Sequence, residues 1–413
     1  MSIRIVKSSD TAAVDALLSP RHDDAAATRK AVVAIVEAVR KGGDEAVVRF
    51  ARKFDGLSGP AEISRDQWTR GARQAPREVR QAIAAAARNI ARVARAQVPR
   101  SFRVRVAPGV TVEQRVRPLD RVGCYVPGGR YPLPSSLLMT AIPARVAGVA
   151  EIIAVCPRPE PVVLAAAEAA GVTRLFQLGG AHAIAALAFG TQTIPRVDRI
   201  VGPGNRYVAA AKTYVSAECG IDMQAGPSEI LVLSDRGNPA WLAADLIAQA
   251  EHDPDARAIL ITSKARLATA VAREVVRQMP ATGPAPQALA RHGGIIVTRA
   301  PAEAVSLANR MAPEHLVVDD EMTAAAVGRA GAIFIGQHTA QVAGDYAIGS
   351  NHVLPTGGAA RLRGGLHTAD YVRVVSVQRV TAAGLKALGP TVRALALAEG
   401  LTAHAQSMIV RGV

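Results

Sequence analysis

The sequence predicts an α/β protein with two domains. Between about Arg121 and Ile335, nine short runs rich in β-branched residues alternate with alanine-rich helical stretches. This alternation is typical of βαβ units, in which helices cover both faces of a parallel sheet. Nine strands exceed one comfortable open sheet, and 413 residues are enough for two or three domains. We therefore expect two Rossmann-like α/β domains with parallel sheets, plus small helical extensions at both ends of the chain.

The segment before Arg121 is predicted to be mostly helical, with helices at residues 24–41, 44–54 and 76–96. A hairpin-like pair of strands follows in residues 103–116 and turns at Pro108-Gly109. The nine strands are expected at residues 122–126, 152–156, 175–178, 199–201, 230–233, 259–262, 295–297, 316–318 and 333–335. Residues 162–170 and 267–278 are among the helices between them, and the chain returns to helix at 382–388 and 391–399.

The composition argues against several classes of protein. No apolar run approaches the roughly 18 residues that a membrane span needs, and the N-terminus lacks the apolar segment of a signal peptide. A cytoplasmic location is therefore expected. The three cysteines, Cys124, Cys156 and Cys219, are isolated, which disfavours both a disulfide framework and a thiolate zinc site. A metal here would need nitrogen and oxygen ligands.

The net charge of +15 raises the possibility of nucleic-acid binding. However, only seven of the 49 basic residues are lysine, and aromatic residues, which stack on bases, make up just 3% of the chain. Arginine on solvated helix faces explains the charge more simply, and an anionic cofactor could also benefit from it. A basic nucleic-acid-binding module stays open as the less favoured alternative.

Histidines of the C-terminal half lie close to carboxylates in the sequence. Four of the nine histidines do so, in Glu251-His252, Glu314-His315, Asp345 with His352, and Glu399 with His404. Imidazole and carboxylate bind borderline metals and transfer protons near neutral pH. The pairs are far apart in sequence, so only folding could bring them together. They indicate a metal-dependent or acid–base enzyme.

One of these pairs ends a predicted helix. Asn238-Pro239 has the pattern of a helix start, with Asn as the N-cap and Pro at the first helical position. In a helix to about residue 251, Gln249 and His252 share a face with Asp245, while Glu251 points about 100° away from His252. Gln249 is thus the better neighbour for His252. A polar helix end capped by a histidine is the alternative interpretation.

Two further segments have the composition of a functional site. Glu314-His315 lies between a predicted helix and a predicted strand, and ligands of open parallel sheets bind at strand termini. An adjacent acid and histidine could supply two proton-transfer groups, although such a pair in a loop is often structural. Residues 343–356 form a long, polar, glycine-punctuated loop that is better suited to holding ligands than to filling a core.

Glycine-rich turns recur at Gly128-Gly129, Gly179-Gly180, residues 202–205 and residues 226–228. Each could present backbone N–H groups to a phosphate, and each could equally be an ordinary strand-to-helix turn. The G-x-G-x-x-G fingerprint and the P-loop are both absent. The pattern alone therefore does not establish a nicotinamide cofactor.

Taken together, these segments resemble the histidinol dehydrogenase family. The matching stretches, in chain order, are residues 125–129, 179–181, 183–188, 202–205, 225–229, 249–252, 313–316, 343–356 and 401–404. Several are weak individually, but as an ordered set they are highly specific, and the likeness covers about Ala25 to Val410. The resemblance implies an NAD-dependent, zinc-containing enzyme that oxidises L-histidinol to L-histidine through the aldehyde with two NAD.

The resemblance also implies a role for individual residues. The zinc ligands fall on Gln249, His252, Asp345 and His404, and the catalytic acid–base pair on Glu314 and His315. Substrate contacts fall on Ser228, His315 and Glu399 besides the metal ligands, and cofactor contacts on Tyr125, His182 and Asn205. The family's homodimer implies that Glu399 and His404 complete the partner subunit's site. Its domain organisation implies one domain from residues 20–120 with 230–366, a second from 121–229, and a helical dimerisation tail from 1–19 with 367–413.

Two departures from the family pattern keep an alternative open. His182 stands where we expect Gln, and residues 361–367 replace a more Ser-rich segment. The chain could therefore be a paralogous zinc- and NAD-dependent dehydrogenase of another small polar alcohol, such as a sulfonated propanediol. Glu399 and His404, with which the family holds histidinol, favour histidinol.

Overall fold

The computed structural model describes residues 3–19, 26–128, 131–224 and 226–413. Its strands are β1 (Ile5–Lys7), β2 (Phe102–Ala107), β3 (Val110–Pro118), β4 (Arg121–Tyr125), β5 (Glu151–Val155), β6 (Arg174–Phe176), β7 (Arg199–Val201), β8 (Gly220–Ile221), β9 (Glu229–Leu233), β10 (Arg257–Thr262), β11 (Gly294–Val297), β12 (His315–Val318), β13 (Ala332–Ile335) and β14 (Val372–Val380). All nine predicted strands of the α/β region are present, as is the predicted hairpin, β2–β3.

The helices are α1 (Thr11–Leu18), α2 (Ala26–Phe54), α3 (Arg65–Arg73), α4 (Arg77–Ala96), α5 (Pro134–Ala147), α6 (Pro161–Ala170), α7 (Gly180–Phe189), α8 (Arg206–Val215), α9 (Pro239–Ala250), α10 (Ala265–Gln278), α11 (Ala285–His292), α12 (Pro301–Met311), α13 (Glu321–Ala326), α14 (Gln341–Tyr346), α15 (Ala382–Ala398) and α16 (Thr402–Ile409). The two helices predicted at 24–41 and 44–54 are the two halves of α2, which breaks at Gly43 (φ 50°, ψ −136°). The start predicted at Asp24, and Gly129 and Ala225 of the motifs, lie outside the described residues.

Two parallel sheets form the framework, as the sequence predicts. One has six strands in the order β1-β11-β10-β9-β12-β13, and the other has five in the order β6-β5-β4-β7-β8. The central strands β9, β10 and β12 are buried along their whole length, which explains why they are apolar without alternation. The parallel arrangement sets the first residues of neighbouring strands at one edge of the sheet and their last residues at the other.

Three strands were not among those predicted. β1 adds to the edge of the six-stranded sheet beside β11, the two-residue β8 adds to the five-stranded sheet beside β7, and β14 pairs antiparallel with β3 to make a separate three-stranded sheet with β2. β14 is largely exposed, so it lacks the continuous apolar run of a buried strand, although it is rich in Val.

Helices α2, α3 and α4 pack on the five-stranded sheet. Buried residues of α2 share a core with Tyr125 and Phe176, and Trp68, Ile83 and Ile90 of α3 and α4 share one with strands β4 and β5. The grouping of residues 20–120 with residues 230–366 in one domain stays a prediction. The apolar faces of these three helices are plain in the sequence, but the sheet that they cover is not.

Candidate active site

The candidate site lies at the amino edge of the six-stranded sheet. Glu229 and His315 are the first residues of the adjacent parallel strands β9 and β12. Helix α9 follows β9 and runs back across the sheet, so its penultimate residue, Gln249, lies at the same edge and donates to Ser228 Oγ (2.6 Å). The predicted start of α9 is confirmed, because the Asn238 side chain accepts a hydrogen bond from the Ala240 N–H. Open α/β sheets usually bind ligands at the opposite edge.

Glu314 is a buried carboxylate held by two donors. Its Oε2 atom accepts hydrogen bonds from Ser228 Oγ (2.7 Å) and from the Glu229 N–H (2.6 Å). Only 6% of Glu314 is exposed. The two donors hold this carboxylate oxygen in one position beside the start of β9. Ser228 therefore connects Glu314 with Gln249.

His315 is fixed in one orientation. Its Nδ1 atom lies 3.0 Å from the Glu229 carbonyl oxygen, which can only accept, so Nδ1 carries the proton. Its Nε2 atom is buried without a hydrogen-bond partner and lies 3.6 Å from Asp345 Oδ1. Burial alone would lower the pKa of His315, but Glu314 and Asp345 together raise it to about 10. The imidazole therefore presents Nε2 to the site.

Asp345 brings the glycine-punctuated loop to the same place. It lies in the last turn of α14, and its Oδ2 accepts a hydrogen bond from Gln341 Nε2 (2.7 Å). Burial would raise the pKa of Asp345, but the nearby His315 imidazole, with the charges of His352 and His252, lowers it. The Asp345 carbonyl accepts from His352 Nδ1 (2.8 Å). The sequence pairing of Asp345 with His352 is thus a backbone contact, and the side-chain partners of Asp345 are His315 and Gln341.

Unsatisfied buried atoms are concentrated here. Among the described residues, the buried side-chain nitrogen and oxygen atoms without a hydrogen-bond partner are Glu229 Oε2, Gln249 Oε1, His315 Nε2 and Gln341 Oε1. Buried polar atoms are nearly always paired in folded proteins, so such a concentration marks a place where a ligand completes the bonding. Gln249 is fully buried, and its amide oxygen, which has no hydrogen-bond partner, is available to bind a ligand.

Several predicted site residues are exposed. Glu251 is exposed at the end of α9, and His252, exposed just beyond it, lies near enough to Asp345 for its charge to help lower the pKa of that carboxyl. Glu399 ends α15 and His404 lies on α16, where both are exposed. Across residues 3–19, 26–128, 131–224 and 226–413, no group of three His, Cys, Asp or Glu side chains is arranged to hold a metal ion.

The three predicted cofactor residues lie at the carboxyl edge of the five-stranded sheet. Tyr125 ends β4, and its hydroxyl accepts a hydrogen bond from the Gly180 N–H (3.1 Å) at the start of α7. Burial raises the pKa of Tyr125, so it stays a neutral phenol. Asn205 precedes α8 and caps it by accepting from two N–H groups, those of Tyr207 and Val208.

His182 is buried and already paired. Its Nε2 atom lies 2.9 Å from Asp55 Oδ2, which also accepts from the Gly179 N–H (2.9 Å). The imidazole lies beside the rings of Phe50 and Phe54. Asp55 is therefore a partner at this edge that the sequence analysis missed, since no motif connects the end of α2 with the glycine turn before α7.

The arginines of residues 361–367 are engaged with the protein itself. Arg361 donates to the carbonyl groups of Arg310 and Gly358. Arg363 donates to the Asp222 carbonyl and to the Asp370 carboxylate. This segment thus ties the C-terminal half of the chain to the five-stranded sheet. These contacts engage both guanidinium groups, so neither is available to bind an anionic substrate.

Fold and site together define the class of protein: a two-sheet α/β enzyme with a buried acid–base pair on one sheet and glycine-rich turns at the edge of the other. A family model described as histidinol dehydrogenase matches residues 18–412. The chain belongs to the histidinol dehydrogenase family, and it is an NAD-dependent oxidoreductase that acts on a CH–OH group. Enzyme membership displaces the alternative of a nucleic-acid-binding module.

Individual relatives match over nearly the whole chain. The histidinol dehydrogenase of Rhizobium meliloti is 46% identical over 411 residues, covering 96% of this chain and 94% of the relative. That of Pseudomonas aeruginosa is 44% identical over 409 residues, covering 95% and 93%. The crystal structure of histidinol dehydrogenase from Elizabethkingia anophelis superposes with a TM-score of 0.94 at 33% identity, covering 99% of this chain and 98% of that one. Across the described ranges, no helix combines the length and apolar character needed to cross a membrane.

Proposed function

We propose that this protein is an L-histidinol dehydrogenase, which oxidises L-histidinol to L-histidine through histidinaldehyde with two NAD, as the last step of histidine biosynthesis in the cytoplasm. The observation that carries the proposal is the packing of Glu314 and His315 against Ser228, Gln249 and Asp345 at one sheet edge. The family membership supports the substrate, because relatives at 44–46% identity are histidinol dehydrogenases over about 95% of the chain.

His315 is the proposed base for the alcohol. Its Nε2 atom faces the site because the Glu229 carbonyl holds Nδ1 in the protonated state. Nε2 would take the hydroxyl proton as the carbinol hydride leaves for the first NAD. Asp345 is one of two carboxylates that raise the pKa of His315 to about 10. A cation held by Asp345 would supply a positive charge that opposes this rise and would favour the neutral imidazole, which is the form that can act as a base.

Glu314 is the proposed base for the second half of the reaction. Its carboxylate would take a proton from water as that water adds to the aldehyde, and a second hydride transfer then yields the carboxylate product. Ser228 and the Glu229 N–H hold one oxygen of Glu314, so the other oxygen is available for the water. His315 and Glu314 thus divide the two oxidations between them.

The donor set at this edge fits zinc. Gln249 offers an unpaired, buried amide oxygen, and Asp345 offers a carboxylate with a lowered pKa. His252 and a partner subunit's copy of His404 would add two imidazoles, and nitrogen and oxygen ligands suit zinc. When bound, the zinc anchors the imidazole and amine of the substrate. Ser228 and Glu399 would contact the substrate as well.

A homodimer would complete the site. Glu399 and His404 are exposed. They belong to the C-terminal helical segment, far in sequence from the start of β12, where the catalytic pair lies. The tail that carries them also exposes apolar side chains, at Val374, Leu395, Leu397 and Ile409. Several large apolar side chains exposed on one segment are consistent with an interface. We infer that each tail docks on the other subunit and brings Glu399 and His404 to its site.

The cofactor is assigned to the carboxyl edge of the five-stranded sheet, where Tyr125, His182 and Asn205 lie. The glycine turn after β6 and the N-terminus of α7 suit a pyrophosphate group. His182 would act there through its present contact with Asp55, which holds the Gly179 N–H. A sulfonated alcohol as substrate would instead call for an unpaired cation, which neither Arg361 nor Arg363 offers.

The test is NADH formation from L-histidinol, with propanediol sulfonate as the competing substrate. We expect about two NADH per histidinol, and loss of turnover after chelation that is restored by zinc. Background NADH from histidinol together with rapid oxidation of the sulfonate would overturn the proposed substrate. One NADH per histidinol would overturn the four-electron reaction.

A further inference from the structure

Glu229 contacts both catalytic side chains through its own peptide groups. Its N–H donates to Glu314 Oε2 (2.6 Å), and its carbonyl lies 3.0 Å from His315 Nδ1. Strand β12 begins in register with Ile230, one residue further along β9. On the side of β9 that faces β12, the N–H and carbonyl of Glu229 therefore bind these two side chains, where residues further along β9 bind β12. The position of this single residue sets the geometry of the pair.

The side chain of Glu229 is buried in an unusual environment. Only 4% of the residue is exposed, and Oε1 accepts a hydrogen bond from the Gly357 N–H (3.2 Å). Arg257 Nη1 lies 4.0 Å from Oε1. Burial raises the pKa of Glu229 to about 7, with Glu314 adding to the effect and Arg257 opposing it. Burying a carboxyl group is costly unless it is well paired, so a side chain retained here calls for a reason.

The Gly357 contact gives that reason. Gly357 follows the loop that carries Asp345 and His352, and its neighbour Thr356 accepts a second bond from the Gly226 N–H. The start of β9 and the end of the loop are thus joined at two points. Thr356 itself is buried. The carboxyl of Glu229 therefore connects the loop bearing Asp345 with the strand end that holds Glu314 and His315.

We propose that Glu229 is a positioning residue: its carboxyl, anchored on the Gly357 N–H and facing Arg257, fixes the peptide groups that hold Glu314 and His315 for proton transfer. The inference rests on the proposed function, since it assigns roles to that catalytic pair. Small displacements of catalytic groups cost large factors in rate. A loosened strand end therefore lowers kcat even though Glu229 touches no reacting atom.

The experiment compares Glu229→Ala and Glu229→Gln with Val232→Ala, a cavity variant three residues along the same buried strand. All three are prepared as zinc-loaded protein, and kcat and KM for histidinol are measured with the thermal midpoint. We expect Glu229→Ala to lower kcat by about 100-fold with KM changed by less than about threefold. Gln retains an acceptor for the Gly357 N–H, so we expect the kcat of Glu229→Gln to be at least tenfold higher than that of Glu229→Ala. Val232→Ala lowers the midpoint while kcat stays near that of the unaltered protein.

Hydrogen exchange provides a readout that does not depend on turnover. We expect faster exchange in Glu229→Ala, relative to Val232→Ala, in peptides covering the Gly357 amide and the start of β9. Equal exchange in these two variants, or a kcat in Glu229→Ala no lower than in Val232→Ala, overturns the positioning role. If the unaltered protein does not oxidise histidinol, the proposed function fails, and exchange alone then decides whether Glu229 holds this strand end.

Discussion

The proposed functional residues of the two parallel sheets lie at opposite edges. In the five-stranded sheet, the proposed cofactor residues lie at the carboxyl edge, where Tyr125 ends β4 and Asn205 follows β7. In the six-stranded sheet, Ser228 and His315 lie at the amino edge. At the carboxyl edge of that second sheet, Asp319 accepts from the N–H groups of Asp235 and Arg236. The protein's own carboxylate thus occupies the place where an anionic ligand would bind.

Strand order therefore does not by itself determine where the candidate catalytic residues lie. Both sheets are parallel and helix-covered, yet the unpartnered buried atoms, among the described residues, belong to side chains at the amino edge of one of them. What matters is which polar groups the fold leaves without a partner. The predictions below test whether the two edges have the separate roles assigned to them.

The largest effect is expected at the amino edge. His315→Ala removes the proposed base for the alcohol, and we expect kcat to fall by about 10³-fold, within the range for loss of a general base. KM for NAD should change little, because the cofactor residues lie on the other sheet. Steady-state assays with both substrates varied measure this.

The matched control is Glu251→Gln. Glu251 is exposed beside His252 and contacts neither Glu314 nor His315. We expect its kcat to stay within about twofold of the unaltered protein, as for most exposed substitutions. A larger loss in Glu251→Gln than in His315→Ala would show that the wrong acid–histidine pair has been assigned.

A smaller and different effect is expected at the carboxyl edge of the five-stranded sheet. Tyr125→Phe removes the acceptor of the Gly180 N–H, and His182→Ala removes the imidazole that contacts Asp55. We expect KM for NAD to rise by about tenfold or less in each, roughly the value of one hydrogen bond, with KM for histidinol unchanged. Asp319→Asn, at the corresponding edge of the other sheet, should lower stability without changing KM for NAD. Equal effects of Asp319→Asn and Tyr125→Phe on that KM would remove the distinction between the sheets.

The last effect is on stability rather than on turnover: a pH dependence of the free energy of unfolding that Glu229 contributes. Burial raises its pKa from 4.5 to about 7. Between these values the unfolded chain releases the proton while the folded protein keeps it, so the free energy of unfolding falls as pH rises from 4.5 to 7. Glu229→Gln does not titrate. Its stability relative to the unaltered protein should therefore increase over that window, by about 3 kcal/mol at most. Denaturant midpoints at pH 5 and pH 8 measure this, and a constant difference between the two proteins would contradict it.

Much of the framework could be predicted because its signals are local. The nine strands are continuous apolar runs, and the start of α9 carries its Asn-Pro signal in the sequence. The choice of Gln249 over Glu251 also came from helical geometry, and the structure buries Gln249 and exposes Glu251. These inferences needed only periodicity and capping chemistry.

The rest depends on contacts between distant segments. Asp55 pairs with His182 across 127 positions, and Glu229 binds Gly357 across 128. No local pattern carries such a pairing. The same holds for α2–α4, whose amphipathic faces could cover either sheet, and for the pairing of β14 with β3, which joins segments far apart in the chain. The assignment of Glu399 and His404 to the site comes from the family resemblance alone.

The central claim is that one site is built from two subunits, with the acid–base pair from one and the tail from the other. It is tested most directly by mixing His315→Ala and His404→Ala subunits under conditions that exchange them. Each variant alone should be nearly inactive. If the tail acts in the partner's site, a heterodimer regains one intact site, and the mixture should recover about one quarter of full activity. A mixture that exchanges subunits and stays inactive would contradict the shared site.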